Sequence, residues 1–319
     1  MLNQVQRRML MRRVLQAIPV LILATFSVFM LLKMLPGDVA ITLAGENATQ
    51  ERIEEIRTLY GLDRPLLVQY GDWVWGAVQG DLSKSLLSGE AVSDTLARVF
   101  PNTLFIVAYA ILLAVLAGVP LGVLAASRAG GWADKLVMVF SSVGVALPNF
   151  WLAMIFVGAF ALNRQWFPAT GFTPASEDFG AAVWQATLPA VALAASGMAE
   201  VARQLRSSLV EVLESQHFRT LHAKGLSPRA ILWKHGLRNV SVNLLTVISL
   251  LVNRTLAATV VVEVVFAIPG IGATIVDATL RRDFPVVQGV VLAMVVTVIV
   301  VNLIADMLYN VLDPRIAQR

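Results

Sequence analysis

The chain has 319 residues, 57% of them hydrophobic and only 14% charged, with a mean hydropathy of +0.72; a water-soluble domain of this size carries roughly a quarter charged residues. That composition describes a polytopic membrane protein and excludes an ordinary soluble enzyme. The formal charge of +4 and the isoelectric point near 9.7 do not argue for nucleic acid, because the basic residues cluster beside apolar runs, the pattern that orients membrane proteins. With no cysteine there are no disulfides and no thiolate metal sites.

Arg7, Arg8, Arg12 and Arg13 precede an apolar run from Val14 to Leu35, and about 20 such residues cross the hydrocarbon core. This run is longer than the apolar core of a signal peptide and lacks a small-x-small cleavage site, so it reads as span one behind a cytoplasmic N-terminus. Pro36-Gly37-Asp38 stops it. The polar stretch that follows, to residue 100, is rich in acids and poor in cations, which places it outside. Within it Thr49 is the expected cap of a helix ending at Tyr60 and Gly61, and Pro65 opens a second helix running to Gly80. Tyr70, Trp73 and Trp75 on that second helix read as interfacial anchors.

Span two is expected from Thr103 to Ala126 and span three from Leu136 to Leu162, joined by a basic, cytoplasmic turn; Pro148 should kink span three. Asn163 to Ala186 forms a second outer segment. Span four, Thr187 to Ala202, is rich in alanine, and its small residues mark it as central in a helix bundle. Then comes the most cationic stretch of the chain, Glu211 to Asn239. Gly225 should break it, and Ser227 and Pro228 should start a new helix. Its apolar face, Val210, Leu213 and Leu221 with Phe218 adjoining, suits either an amphipathic helix lying on anionic lipid or a helix docked in a partner's groove, and spacing does not choose between them. Span five follows from Val240 to Phe266, with Pro269-Gly270-Ile271-Gly272 ending it outside, and span six runs from Val286 to Val311 before the tail DPRIAQR. Six spans with both termini in the cytoplasm satisfy the positive-inside pattern at every short loop. The expected organisation is residues 1–35 as N-terminus and span one, 36–100 as an extracytoplasmic helical region, and 101–319 as a five-span core with a cytoplasmic loop at 203–239.

No GxxxxGK[ST] occurs, so the chain has no phosphate-cradling loop of its own, and neither HExxH nor GxSxG appears. His217 and His222 are five apart, about 140° around a helix, whereas zinc helices place two histidines four apart. Polar or ionisable residues inside spans mark a pathway or a structural pair; here they are Glu200, Asn253, Arg254, Glu263, Asn302 and Asp306. Glu200 and Asp306 lie near span ends and read as reaching water. Asn149, Asn253 and Arg254 are the candidates for a pathway lining, with helix tying as the alternative role for Asn253 and Arg254.

Taken together, MLPGD after span one, YGLDRPLLVQY and GDLSKS outside, FPATG, RSSLVEVL, RTLHAKGLSP, VVEVVFAIPGIG, RRDFPVVQGVV and the closing LDPRI resemble the integral-membrane subunits of bacterial ABC importers, in particular the dipeptide/oligopeptide/nickel permease group. The resemblance covers nearly the whole chain. It implies an all-α type I importer permease fold in the bacterial inner membrane. It also implies that Arg219, Thr220, Leu221, His222, Ala223, Lys224, Gly225, Leu226 and Ser227 form the coupling segment against an ATPase. Arg219 stands where the general motif has Glu, Leu221 replaces its second Ala, and Gly225 matches its Gly; Arg238 and Asn243 fall where the patterns tend to have Pro. The implied partners are a second, similar permease subunit, two ATP-binding subunits that hold ATP and magnesium, an extracytoplasmic substrate-binding protein and membrane lipid, with no cofactor on this chain and no nucleic acid. The implied cargo is di- or oligopeptides; nickel chelates, glutathione, opines and sugars are alternatives within the group. An ion-driven secondary transporter is the alternative from another class.

Overall fold

The computed structural model describes residues 4–34, 38–44 and 48–312; the Pro36-Gly37 stop and the DPRIAQR tail lie outside them. Among the described residues the chain is helical throughout, with a single antiparallel bridge between Lys84 and Ala91. Five helices are long and apolar enough to span a membrane, and a bent pair of helices brings the number to six when it is counted as one span.

Two compact units divide the chain. One comprises residues 12–101 and 270–297; the other comprises 102–269 with the two ends of the chain. In the first, α1 (Gln4–Met34) supplies an apolar stretch from Met11 to Met34. After α2 (Val39–Ala44), the Thr49 hydroxyl accepts from the Arg52 amide at 3.3 Å and starts α3 (Gln50–Leu59), which closes at Tyr60 and Gly61, the latter at φ +61°. Pro65 precedes α4 (Leu66–Val78), and Gly80 at φ +86° turns the chain away. These boundaries match the capping and glycine signals in the sequence, since an N-cap oxygen and a residue that tolerates positive φ are what helix ends require.

Tyr70 departs from its expected role as a lipid anchor. Its ring packs edge-on against Phe26 at 5.1 Å and beside Phe29 at 5.6 Å, and its hydroxyl bonds the Thr25 hydroxyl at 2.9 Å and the Ile22 carbonyl at 3.1 Å. Thus α4 lies along α1, where the tyrosine meets both an apolar ring cluster and hydrogen-bonding partners for its hydroxyl. The same unit holds α12 (Ile271–Leu280), a short helix between spans five and six that the sequence reading did not specify, and the first half of α13 (Phe284–Leu312). Leu32, Val92, Val99, Ile271, Val286 and Val290 form its core. Asp283, only 4% exposed, accepts from Ser85 and from the Leu86 amide and pins the 81–91 turn.

In the second unit α8 (Phe179–Leu213) is central, as its alanine content predicted. It starts on Asp178, whose carboxylate accepts from the Ala181 amide, and continues well beyond the expected span, to Leu213. Around it lie the latter part of α5 (Val92–Ser127), α6 (Trp132–Ala146), α7 (Asn149–Phe156) and α11 (Leu237–Val265). Glycines bring the helices within backbone contact. A Cβ added at Gly118 would sit 2.8 Å from the Met198 carbonyl oxygen, one at Gly122 2.8 Å from that of Ala202, and one at Gly144 2.9 Å from the Ala199 methyl. Small-residue contacts of this kind are the main means of helix association where lipid removes the hydrophobic drive.

Span three is broken rather than kinked. Leu147 is extended, Pro148 caps α7, and α6 and α7 meet at 94°. Proline removes the amide that would continue the ladder and forces its predecessor out of helical backbone; α7 then runs on as a π-helical turn, Val157–Leu162.

Candidate translocation pathway and coupling loop

Two features of α8 organise the site: a row of polar side chains within the bundle and the exposed loop at its far end. Ser196 and Glu200 are four residues apart and share a face. The Ser196 hydroxyl donates to the Asn149 side-chain oxygen at 3.0 Å, joining α8 to the start of α7. One turn further on, both Glu200 oxygens accept from a single Arg254 guanidinium nitrogen, at 3.0 and 2.8 Å. The Arg254 side chain is 69% exposed and that of Glu200 24%. Glu200 was expected simply to reach water; it faces a cation on α11 instead, a pairing that linear spacing does not reveal across 54 residues. An exposed ion pair on membrane-spanning helices marks a wet or partner-covered face, because lipid would leave it unscreened.

Asn253 and Arg254, neighbours in sequence, diverge by about 100° on the helix. Asn253 donates to the Asn302 oxygen at 3.2 Å and ties α11 to α13, while its own side-chain oxygen is buried without a partner among the described residues. Of the three pathway candidates, α8 therefore brings Asn149 and Arg254 onto one face, and Asn253 serves a different helix pair. Glu263 is fully buried and accepts from Thr103 at 2.5 Å, and Asn102 donates to the Pro269 carbonyl at 2.8 Å. Sequence reading missed this Asn102-Thr103 clamp on the end of α11; two adjacent hydrogen-bonding residues at the head of a span were its signal.

At the other end of α8 the break at Gly225 and the restart at Ser227-Pro228 stand where the sequence put them, but the apolar face ahead of them is divided between two helices. Ser215 is extended and separates α8 from α9 (Gln216–Ala223), so Val210 and Leu213 belong to α8 and not to the helix that carries Phe218 and Leu221. Phe218 is the anchor, 1% exposed, and Leu221 and Leu226 are half-buried. Arg219, Thr220, His222, Ala223, Lys224, Gly225 and Ser227 are exposed. Gly225 at φ +79° turns the chain, and the Ser227 hydroxyl accepts from the Ala230 amide at 3.3 Å to start α10 (Pro228–Ala230), which leads through a π-helical turn into α11. A cleft of about 540 Å³ lies between the end of α5 and this loop, with His222, Arg229 and Trp233 on its walls.

The loop's base is clamped to the bundle. Arg206 donates from Nε and Nη2 to the two oxygens of Asp134, at 3.0 and 2.7 Å, and the Gly130 amide adds a bond at 2.8 Å. Asn243 donates to Ser208 across α11 and α8; where the general patterns tend to have Pro, this chain keeps a side-chain bond and an unbroken helix. Asp134 was not singled out in the sequence, because an acid in the first turn of a helix is a favoured placement on local grounds alone and gives no sign of a distant partner.

A family model described as binding-protein-dependent transport system inner membrane component matches residues 118–318, and its N-terminal companion matches residues 6–107. The chain is 37% identical over 308 residues to a putative peptide transport system permease protein of Brucella abortus, covering 97% of this chain and 98% of that one. It is 36% identical over 310 residues to the oligopeptide transport system permease protein of Bacillus subtilis, covering 96% and 98%, and 37% identical over 306 residues to a glutathione transport system permease protein of Escherichia coli, covering 96% and 97%. Among solved structures, an inward facing MetNI methionine ABC transporter chain superposes with a TM-score of 0.58 at 16% identity, over 68% of this chain and 96% of that one, a likeness of fold.

Proposed function

The chain belongs to the family of binding-protein-dependent transport system inner membrane components, and from that premise we propose that it forms half of an ATP-driven import pathway for di- or oligopeptides. The observation that carries the reading is α8 itself. One helix of 35 residues, about 52 Å at 1.5 Å per residue, bears the Asn149 and Arg254 contacts within the bundle and the exposed loop at its end. In this reading two partner ATPases bind ATP and magnesium and grip Arg219 to Ser227. Their closure displaces α9, and the Phe218 anchor and the Arg206–Asp134 clamp pass that displacement to α8 and α11. Catalysis lies in the partners. A second, similar permease completes the pathway, facing Asn149 and Arg254, and a substrate-binding protein delivers cargo to residues 36–100 and 163–186 on the outer side. Both termini and the loop are cytoplasmic. The peptide cargo rests on the names of the relatives, and a ligand-binding assay on the cognate binding protein tests it separately.

Gly225→Trp tests the coupling assignment. No atom lies within 4 Å of a Cβ placed there, so the substitution blocks a docking face without clashing inside the subunit, although positive φ strains it locally. The expected result is loss of ATPase copurification and of ATP-driven uptake from a subunit that still reaches the membrane; unchanged copurification and uptake would sink the assignment.

A further inference from the structure

Within the unit built from residues 12–101 and 270–297, two cavities meet at Trp73. The first, about 260 Å³, is lined by Lys33 and Phe29 of α1, Gln69 and Asp72 of α4, and Phe284 and Gln288 of α13, together with the 60–64 turn. It is a nest of donors. Gln288 is only 4% exposed, and its side-chain nitrogen has no hydrogen-bond partner among the described residues; the same is true of the buried Trp73 indole nitrogen. Lys33 gives a bond of 2.7 Å to the neutral Gln69 oxygen and sits 5.6 and 5.5 Å from the Phe29 and Phe284 ring centres. Asp72, the acid on the wall, is paired with Arg64 at 3.1 Å. Leaving two buried donors unmade is expensive; both nitrogens are closed off in this conformation, and a small side-chain shift that opens them to the adjoining cavity would let an entering acceptor satisfy them.

The second cavity, about 370 Å³, is an apolar groove. The order of residues along each helix is what connects the two. On α1 the wall passes from Lys33 and Phe29 to Ile22 and Ile18. On α4 it passes from Gln69 to Trp73 and on to Ala77 and Val78, and on α13 from Gln288 to Leu292. All three helices change from polar to apolar in the same direction, away from the Lys33 end of α1 and into its apolar stretch. A polar head pocket continued by an apolar channel, with a lysine at the end of a span and aromatic rings beside it, has the polarity profile of a phospholipid at the membrane interface.

We propose that the α1–α4–α13 cleft binds one anionic phospholipid, its phosphate oxygens accepting from Lys33, Trp73 and Gln288 and one acyl chain lying between Ile18 and Val78. The lipid cements α4 onto α1 and so fixes the outer helical region to its membrane span.

The test is native mass spectrometry of the full chain, purified with its partner subunits and exchanged into nanodiscs of phosphatidylglycerol or of phosphatidylcholine. After stripping, the wild type should retain one phosphatidylglycerol per chain, in about tenfold excess over phosphatidylcholine, and Lys33→Gln should lose about tenfold of that retention. Ala77→Phe fills only the apolar groove and leaves every donor in place; it should lose retention comparably, which keeps the idea testable should the lysine variant fold poorly. Equal retention of the two lipids, or retention unaffected by Ala77→Phe, overturns the proposal. So does displacement of the lipid by millimolar inorganic phosphate with undiminished phosphate binding in Ala77→Phe, since the occupant would then be a free anion.

Discussion

The two units of this chain solve the same problem, holding helices together, with different chemistry. Around α8 the contacts run through glycine and alanine: Gly118, Gly122 and Gly144 admit neighbouring backbone or methyl groups to distances no side chain would allow. The unit of residues 12–101 and 270–297 is held instead by branched and aromatic side chains, by the Ser85–Asp283 bond and by helix caps. The α8 bundle gains stability from proximity, and the other unit gains it from shape and from polar groups that water would otherwise claim.

The comparison breaks most easily at its glycines. Alanine favours a helix over glycine by about 1 kcal/mol, so a net loss on Gly→Ala isolates the close approach. At Gly118 the obstacle is the Met198 carbonyl, which cannot move without moving α8, and Gly118→Ala should cost about 2 kcal/mol. At Gly289 it is a Val92 methyl, which a rotamer change relieves, so Gly289→Ala should cost less than half as much. Melting of the purified transporter in detergent measures both. A larger loss at Gly289 would show that the unit of residues 12–101 and 270–297 depends on close approach as well.

The next test concerns the clamp at the base of the loop. The Asp134 side chain is 5% exposed and that of Arg206 28%, so the two members of the pair are not equivalent. Arg206→Ala strands a buried carboxylate with the Gly130 amide, a defect worth about 3 kcal/mol. Asp134→Asn leaves a guanidinium that can swing to water and should cost only about 1 kcal/mol. If the clamp transmits motion as proposed, Arg206→Ala should also lower uptake relative to ATP hydrolysis, whereas a purely structural bond would lower both together.

The same contrast explains what could be read from the sequence. Helix ends in the unit of residues 12–101 and 270–297 were legible at Thr49, Gly61, Pro65 and Gly80 because capping and positive φ depend on local chemistry. The centrality of α8 was legible from its small residues. The partners of Glu200 and Asp134 were not, since a pair separated by 54 or 72 residues leaves no periodic trace. Tyr70 was misread for the same reason: an exposed-looking aromatic gives no sign of the helix that will cover it. At α12 the stop was legible and the restart was not. Helix α11 ends at Val265, ahead of Pro269-Gly270 as expected, but Gly270 is extended and its carbonyl accepts from the Thr274 amide, so the same dipeptide also starts the next helix.

The mildest effect is expected at Asp38, in the unit of residues 12–101 and 270–297. Burial alone would raise this carboxyl, but the Ala40 amide, bonded at 2.8 Å, and the Arg57 guanidinium reverse that and hold it below the usual carboxylate range. A depressed folded value means that its contribution is fully present above the unfolded value, about 3.9, and is lost as pH falls through the folded one. Hydrogen exchange at α2 and α3 should therefore be insensitive to this group from pH 8 down to about 5 and accelerate only in stronger acid. Asp38→Asn should carry the faster exchange to neutral pH and flatten that profile, while leaving exchange in α8 untouched. Acceleration in α8 at the same pH would mean that the two units share their acid response, and the contrast between a bundle held by proximity and a unit held by polar pairing would fail where it is simplest to measure.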